Sequence, residues 1–265
     1  MNAILIDITK CTGCQRCVEA CKEAHQLAPD VRYPKLRSDG LSSRRLTTAV
    51  ALEDGRYAKK QCVHCLAPAC EEACLVGAIH KTELGPVIYD PEKCIGCRYC
   101  LLACPMGIPR YEWEKRLPYM QKCDMCFERL ERGQVPACVE CCPERVCEFG
   151  QRDKLLDLAR QRIQDSPGKY LPHIFGEKEL GGTSVLYLSD VDLRALGWPE
   201  KVGEKPIHSY TWPVMSKTPF LGTGVAIFLT GTYWIIQRRM ELAGAASQSP
   251  RGEDLSNGGS EEGIE

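Results

Sequence analysis

The sequence predicts an α+β fold of two pseudo-symmetric halves with inserted strands, followed by one C-terminal helix long enough to cross a bilayer. Three observations predict it. All 18 cysteines of the 265-residue chain lie between Cys11 and Cys147. Sixteen of them form four ordered groups of four, which is an internal repeat. No charged residue occurs from Thr218 to Gln237.

The groups are Cys11, Cys14, Cys17, Cys21; then Cys62, Cys65, Cys70, Cys74; then Cys94, Cys97, Cys100, Cys104; and Cys123, Cys126, Cys138, Cys142. Each ends with a Cys four positions after the one before it. That step is expected to set the last two thiols on successive turns of a short helix. Strands are expected at Pro86-Val87-Ile88-Tyr89 and Gly77-Ala78-Ile79, so each unit reads as ligand loop, short helix and strand. Between groups one and two an insertion, Lys22 to Gln61, holds an expected strand pair at Leu46–Leu52 and Arg56–Lys60, turning at Asp54-Gly55. Past Cys147, Asp153 to Ile163 has the apolar spacing of an amphipathic helix, and Ser184–Leu188 reads as a strand. The expected division is residues 1–150 for the cysteine domain, 151–215 for an extension packing on it, 216–240 for an anchor and 241–265 for a Gly/Ser/Glu-rich disordered tail.

Cysteine density on this scale fits a disulfide scaffold, structural zinc or iron–sulfur ligation, and spacing decides among them. Groups one and three read Cys-x2-Cys-x2-Cys-x3-Cys, the bacterial ferredoxin spacing, and Cys104 is followed by Pro105. Three thiolates two residues apart can wrap one iron–sulfide cube. Gly13 and Gly96 let backbone N–H groups turn toward its sulfurs. The fourth Cys is expected to begin the helix and serve a neighbouring cluster. Groups two and four keep the Cys-x2-Cys start and the Cys-x3-Cys finish around longer middles, and Cys142-Pro143 repeats the Cys-Pro mark. Zinc has no use for a third Cys two residues on, and disulfides across such short loops are strained. Cys141 and Cys147 remain over and read as small buried hydrophobes. His25, His64, His80, His173 and His208 form no spaced constellation. A net charge of −1 argues against nucleic acid as a partner, and no nucleophile–base set or phosphate-binding loop suggests catalysis by the chain itself.

From Pro219 to Ile236 the chain reads PFLGTGVAIFLTGTYWII. At about 1.5 Å per residue this is close to the thickness of a bilayer's hydrocarbon, so residues 219–236 are expected to lie in lipid as a single pass. Tyr210, Trp212, Tyr233 and Trp234 suit the interfacial belts, and Arg238-Arg239 favours a cytoplasmic C-terminus. The cluster domain would then face the periplasm. MNAILIDITK before Cys11 leaves no room for an apolar signal segment, so the expected route is folded export as a passenger on a partner. A cytoplasmic placement of the cluster domain is the other possibility.

Over residues 2–240 the sequence resembles the four-cluster ferredoxin-like β subunits of molybdopterin oxidoreductases and membrane-bound nickel–iron hydrogenases. Its marks are the ordered groups, the segment QKCDMCFERLERGQVPACVECCP, and HIFGEKELGGTSVLYLSDV ahead of one C-terminal span. Formate dehydrogenase β subunits and their hydrogenase counterparts are the members resembled most. The resemblance implies bis-[4Fe–4S] ferredoxin-like halves, groups one and four in one, groups two and three in the other. It implies four [4Fe–4S] clusters, held by Cys11, Cys14, Cys17 and Cys142; by Cys21, Cys123, Cys126 and Cys138; by Cys62, Cys65, Cys70 and Cys104; and by Cys74, Cys94, Cys97 and Cys100. It implies a large catalytic subunit of molybdopterin or nickel–iron type and an integral membrane subunit that reacts with quinone or carries haem. The expected function is electron relay between them in the bacterial cytoplasmic membrane. The alternatives are a quinol-oxidising reductase of nitrate, dimethyl sulfoxide or polysulfide type and, remotely, a zinc-stabilised membrane scaffold.

Overall fold

A computed structural model describes residues 1–29, 39–52, 55–193, 199 and 203–247. Asp54 of the expected Asp54-Gly55 turn lies outside the described residues, as does the tail from 248 on. Two compact units are present, Met1–Tyr210 and Thr211–Glu265.

The first unit is organised by β1 (Asn2–Asp7), an apolar run that the amino-acid pattern leaves unassigned because both of its faces are buried and it lacks alternation. It is the middle strand of a three-stranded sheet, antiparallel to β8 (Cys147–Gln151) and parallel to β9 (Val185–Leu188). Ile4 and Ile6, with Val185 and Tyr187, join the core shared with the cysteine loops. Ala3 and Leu5, with Leu186 and Leu188, pack on Leu155, Leu156 and Ala159 of α6 (Arg152–Asp165). Strand period two thus splits the sheet into a face toward the cysteine loops and a face toward the helix. At the end of β1 the buried Asp7 carboxylate accepts from Thr9 N at 3.2 Å, Thr9 Oγ1 at 2.6 Å and Tyr170 Oη at 2.9 Å, turning the chain into Cys11.

Three hairpins complete the unit. The insertion supplies β2 (Thr48–Ala51) and β3 (Tyr57–Lys60), an antiparallel pair as expected. Between groups two and three lie β4 (Ile79–Lys81) and β5 (Val87–Tyr89); the first starts two residues later than its sequence suggests. After group three come β6 (Arg110–Tyr111) and β7 (Met120–Gln121).

In the second unit α8 (Thr218–Ser247) is exposed along its apolar length, Phe220 at 79% and Phe228 at 71%. Its hydroxyls are satisfied within the helix, Thr223, Thr230 and Thr232 each donating to the carbonyl four residues back at 2.8 Å. Among the described residues one helix, His208–Gly244, is long and apolar enough to cross a membrane. Its first stretch is α7 (His208–Met215), which contains Pro213.

The insertion is tied to the segment after group three by Asp39, whose carboxylate meets Arg110 Nη2 at 2.6 Å and Lys60 Nζ at 3.3 Å. Burial alone would raise this carboxyl, but the Arg110 bond and charge, then Lys60, outweigh it and hold it below the usual range. A depressed folded value means stability that is present above the unfolded value, about 3.9, and lost as pH falls through the folded one. Asp39→Asn is expected to cost about 1.5–3 kcal/mol at neutral pH by removing a bond to a charged group. Thermal melts should show the gap to wild type shrinking on acidification below the carboxylate range; a gap constant with pH would exclude the charge as its source.

Candidate functional site

Strand register brings distant cysteines together. Ile6 pairs with Cys147 as the last pair of β1–β8; the chain then passes through a 3-10 turn, Ile8–Lys10, and Cys11 and Cys142 come to line one pocket. Ile79 pairs with Tyr89 in β4–β5, and five residues outward from that pair stand Cys74 and Cys94. The two hairpin ends are thus built on one plan, although one joins residues adjacent in sequence and the other joins the ends of the cysteine region.

The four loops share a backbone device. The residue before the second Cys of every group has positive φ: Gly13 at 71°, His64 at 48°, Gly96 at 73° and Met125 at 59°. This turns the following amides inward. Gly96 N donates to Cys94 Sγ and Met125 N to Cys123 Sγ, each at 3.4 Å. A second left-handed residue stands three positions after the last Cys in groups two to four, at Gly77, Gly107 and Arg145. The next amide then reaches back to sulfur, Ala78 N to Cys74 Sγ at 3.1 Å and Val146 N to Cys142 Sγ at 3.4 Å.

The helices differ from expectation in their ends. In group one, α1 (Arg16–Ala24) carries both Cys17 and Cys21. In the others only the third Cys is helical: Cys70 in α2 (Ala69–Glu72), Cys100 in α3 (Tyr99–Ala103) and Cys138 in α5 (Ala137–Glu140). The fourth Cys therefore follows the helix instead of beginning it. Cys104 is extended, as the residue before Pro105 must be. A further short helix, α4 (Phe127–Glu131), occupies the long middle of group four.

All 18 cysteines are free thiols, with Cys14 and Cys97 exposed. Cys11, Cys14, Cys17 and Cys142 line one pocket, with Lys59, Cys138 and Cys147 also on its wall. Burial pushes Cys123 and Cys65 well up, Cys70 to about 12 and Cys126 to about 11. Neighbouring thiols add to the effect of burial. Cys142 acts on Cys11, Cys138 on Cys17 and Cys21, Cys62 on Cys123 and Cys65, Cys104 on Cys70, and Cys94 and Cys97 on Cys100. Such convergent thiols bind soft metal and release protons as they do so. The surroundings fit iron–sulfur ligation on a further ground: buried donors at Gln61 Nε2 and His64 Nε2 have no partner among the described residues. Tyr111 Oη lies 3.2 Å from Cys100 Sγ.

Several contributors are absent from the motif reading. His25 Nε2 stands 3.3 Å from Asp124 Oδ1 and 3.6 Å from Cys126 Sγ, although its position in sequence pairs with nothing. The β2–β3 hairpin docks on the group-one loop, Gln15 Nε2 donating to Ala49 O at 2.8 Å and the Tyr57 ring covering Gly13. Cys147 is buried as expected, whereas Cys141 is only half-buried.

A methyl group at Gly13 would stand 2.4 Å from the Tyr57 ring, while one at Gly96 would meet nothing within 4 Å. Both positions are left-handed, so Gly96→Ala is expected to lose about 1–2 kcal/mol and Gly13→Ala clearly more. Apparent melting temperatures of the two variants check this, and equal drops would show that the Tyr57 contact is irrelevant.

Two family models, each described as a 4Fe-4S dicluster domain, match residues 3–75 and residues 54–152. Hydrogenase-2 operon protein HybA of Escherichia coli O157:H7 is 34% identical over 74% of the present sequence and 72% of its own length. The B subunit of anaerobic dimethyl sulfoxide reductase from Escherichia coli K12 is 41% identical over 57% of the present sequence and 73% of its own length. The iron-sulfur subunit of nitrate-inducible formate dehydrogenase from the same strain is 35% identical over 70% and 67%. Thiol loops of one design, two tandem dicluster matches and relatives covered over more than two thirds of their length agree, and this protein belongs to the family of iron–sulfur electron-transfer subunits that carry four [4Fe–4S] clusters.

Proposed function

We propose that the protein relays single electrons between a catalytic subunit of formate dehydrogenase or hydrogenase type and a quinone-reactive or haem-carrying membrane subunit. The observation that carries this is the gathering of four cysteine groups in one compact unit, with Cys14 of group one exposed and Cys97 of group three exposed. Thiols exposed in two separate groups suit a conductor with a partner at each. When bound, each cluster supplies reversible storage of one electron at a potential set by its surroundings.

In this reading Cys11, Cys14, Cys17 and Cys142 hold one cluster and Cys21, Cys123, Cys126 and Cys138 its neighbour. Cys62, Cys65, Cys70 and Cys104 hold the third, and Cys74, Cys94, Cys97 and Cys100 the fourth. The pocket lined by Cys11, Cys14, Cys17 and Cys142 supports the first set, and the nearness of Cys94 and Cys97 to Cys100 supports the fourth. Amide donors on Cys74, Cys94, Cys123 and Cys142 withdraw charge from the ligating sulfurs. The protein's own part is to hold, insulate and tune; the reaction on substrate belongs to its partner. The formate and hydrogen type is favoured because those relatives align over 199 and 237 residues, well past the cysteine region, against 152 for the dimethyl sulfoxide reductase subunit.

Residues 219–236 cross the lipid bilayer as one pass, supported by the exposed apolar surface of α8 and its internally satisfied threonines. Arg238 and Arg239 then face the cytoplasm and the cluster unit lies on the periplasmic side.

Two measurements test these assignments. Iron and acid-labile sulfide in the purified protein should each be about sixteen per molecule for four cubanes, and about eight or fewer would refute the ligand sets. Deleting residues 218–265 should move the protein from the membrane fraction to the soluble one with its iron unchanged; retention in the membrane would refute the anchor.

A further inference from the structure

Lys59 belongs to β3, which leads into group two, and its side chain is fully buried. Successive strand residues point to opposite faces, and here both members of the Lys59-Lys60 pair are buried. Lys60 meets the Asp39 carboxylate. Lys59 has no carboxylate partner among the described residues. Its Nζ donates instead to Cys138 Sγ at 3.5 Å and to Gln61 Oε1. It also forms part of the cavity wall beside Cys11, Cys14, Cys17 and Cys142.

A buried ammonium without an anion is strongly disfavoured, and a methionine of similar reach would fill the same space at far lower cost. The anions within reach are thiolates. Cys138 Sγ accepts from the ammonium, and Cys17 and Cys142 stand with Lys59 on one pocket wall. Lys81, near Cys62 and Cys65, behaves differently: its ammonium donates to His64 O and Ser184 Oγ, and burial lowers it to about 8.

We propose that Lys59 is a potential-setting residue, its buried ammonium facing both clusters of the half built from groups one and four and raising the reduction potential of each. This rests on the ligand sets given above. A cluster with four thiolates is an anion that gains a further negative charge on reduction, so a fixed cation favours the reduced state. Cys11 and Cys17 belong to one of these clusters, and Cys21, Cys123 and Cys138 to the other. Lys59 Nζ meets Cys138 of the second set and shares a pocket wall with Cys11, Cys14, Cys17 and Cys142, which make up the first. Gln61 aims its carbonyl oxygen at the ammonium and so orients it without neutralising it.

The test is a redox titration of the full-length, cluster-loaded protein followed by electron paramagnetic resonance, with iron and sulfide measured on every variant. Lys59→Met should move two of the four one-electron steps to lower potential. The expected size is at least a tenfold loss in the reduced-to-oxidised ratio at fixed poise, about 59 mV per step, with the other two steps unmoved. Lys59→Arg should restore both. Gln61→Glu places a carboxylate on the ammonium and should lower the same two, which decides the matter if Lys59→Met loses iron. Fully loaded Lys59→Met or Gln61→Glu with no step moved, or with all four moved alike, overturns the role of Lys59. Wild-type protein with about eight irons or fewer overturns instead the ligand sets on which it rests.

Discussion

The pairing of β1 with β8 holds the two ends of the cysteine region together, and beyond its last pair, Ile6 with Cys147, the chain turns Cys11 and Cys142 into one pocket. A slip of one residue would turn Ile4 and Ile6 away from the cysteine core and carry Ala3 and Leu5 into it. The β4–β5 hairpin repeats the arrangement five residues from Cys74 and Cys94. Pseudo-symmetry therefore resides in two registers more than in matching helices, and the helices are free to differ in length. Group one has the longest helix of the four, α1, and it runs past the fourth Cys.

Around this frame the protein solves an electrostatic problem with backbone instead of side-chain volume. Thiols that burial would keep protonated must lie where metal can take them, and the groups that answer them are mostly main-chain amides exposed by left-handed residues. Two of the four residues preceding the second Cys are not glycine, so strain is accepted at His64 and Met125 to keep the amides aimed inward. Apolar material lies on both faces of the sheet, one core packed among the cysteine loops and the other where β1 and β9 meet α6.

The cysteine spacing made the ligand loops, and the glycines at 13 and 96, legible from composition and order alone. Residues His64, Met125 and Arg145 were not legible, since nothing in their chemistry signals positive φ. β1 escaped notice because a strand buried on both faces has no alternation, and β8 because its first residue reads as a spare cysteine. The tandem lysines at 59 and 60 did carry a signal, for a strand cannot expose two neighbours on one face. Only the three-dimensional contact showed which acceptor each lysine finds, and likewise that His25 comes to Cys126 across a hundred residues.

The two registers differ in one respect that bears on how the protein is made. Cys74 and Cys94 are joined by a hairpin that can close soon after it leaves the ribosome, whereas β1 must wait for β8 before Cys11 has its neighbour at 142. During synthesis the first group emerges early and is completed late. On the proposed ligand sets its three leading thiols therefore wait through the making of more than a hundred residues for Cys142, with which they line one pocket.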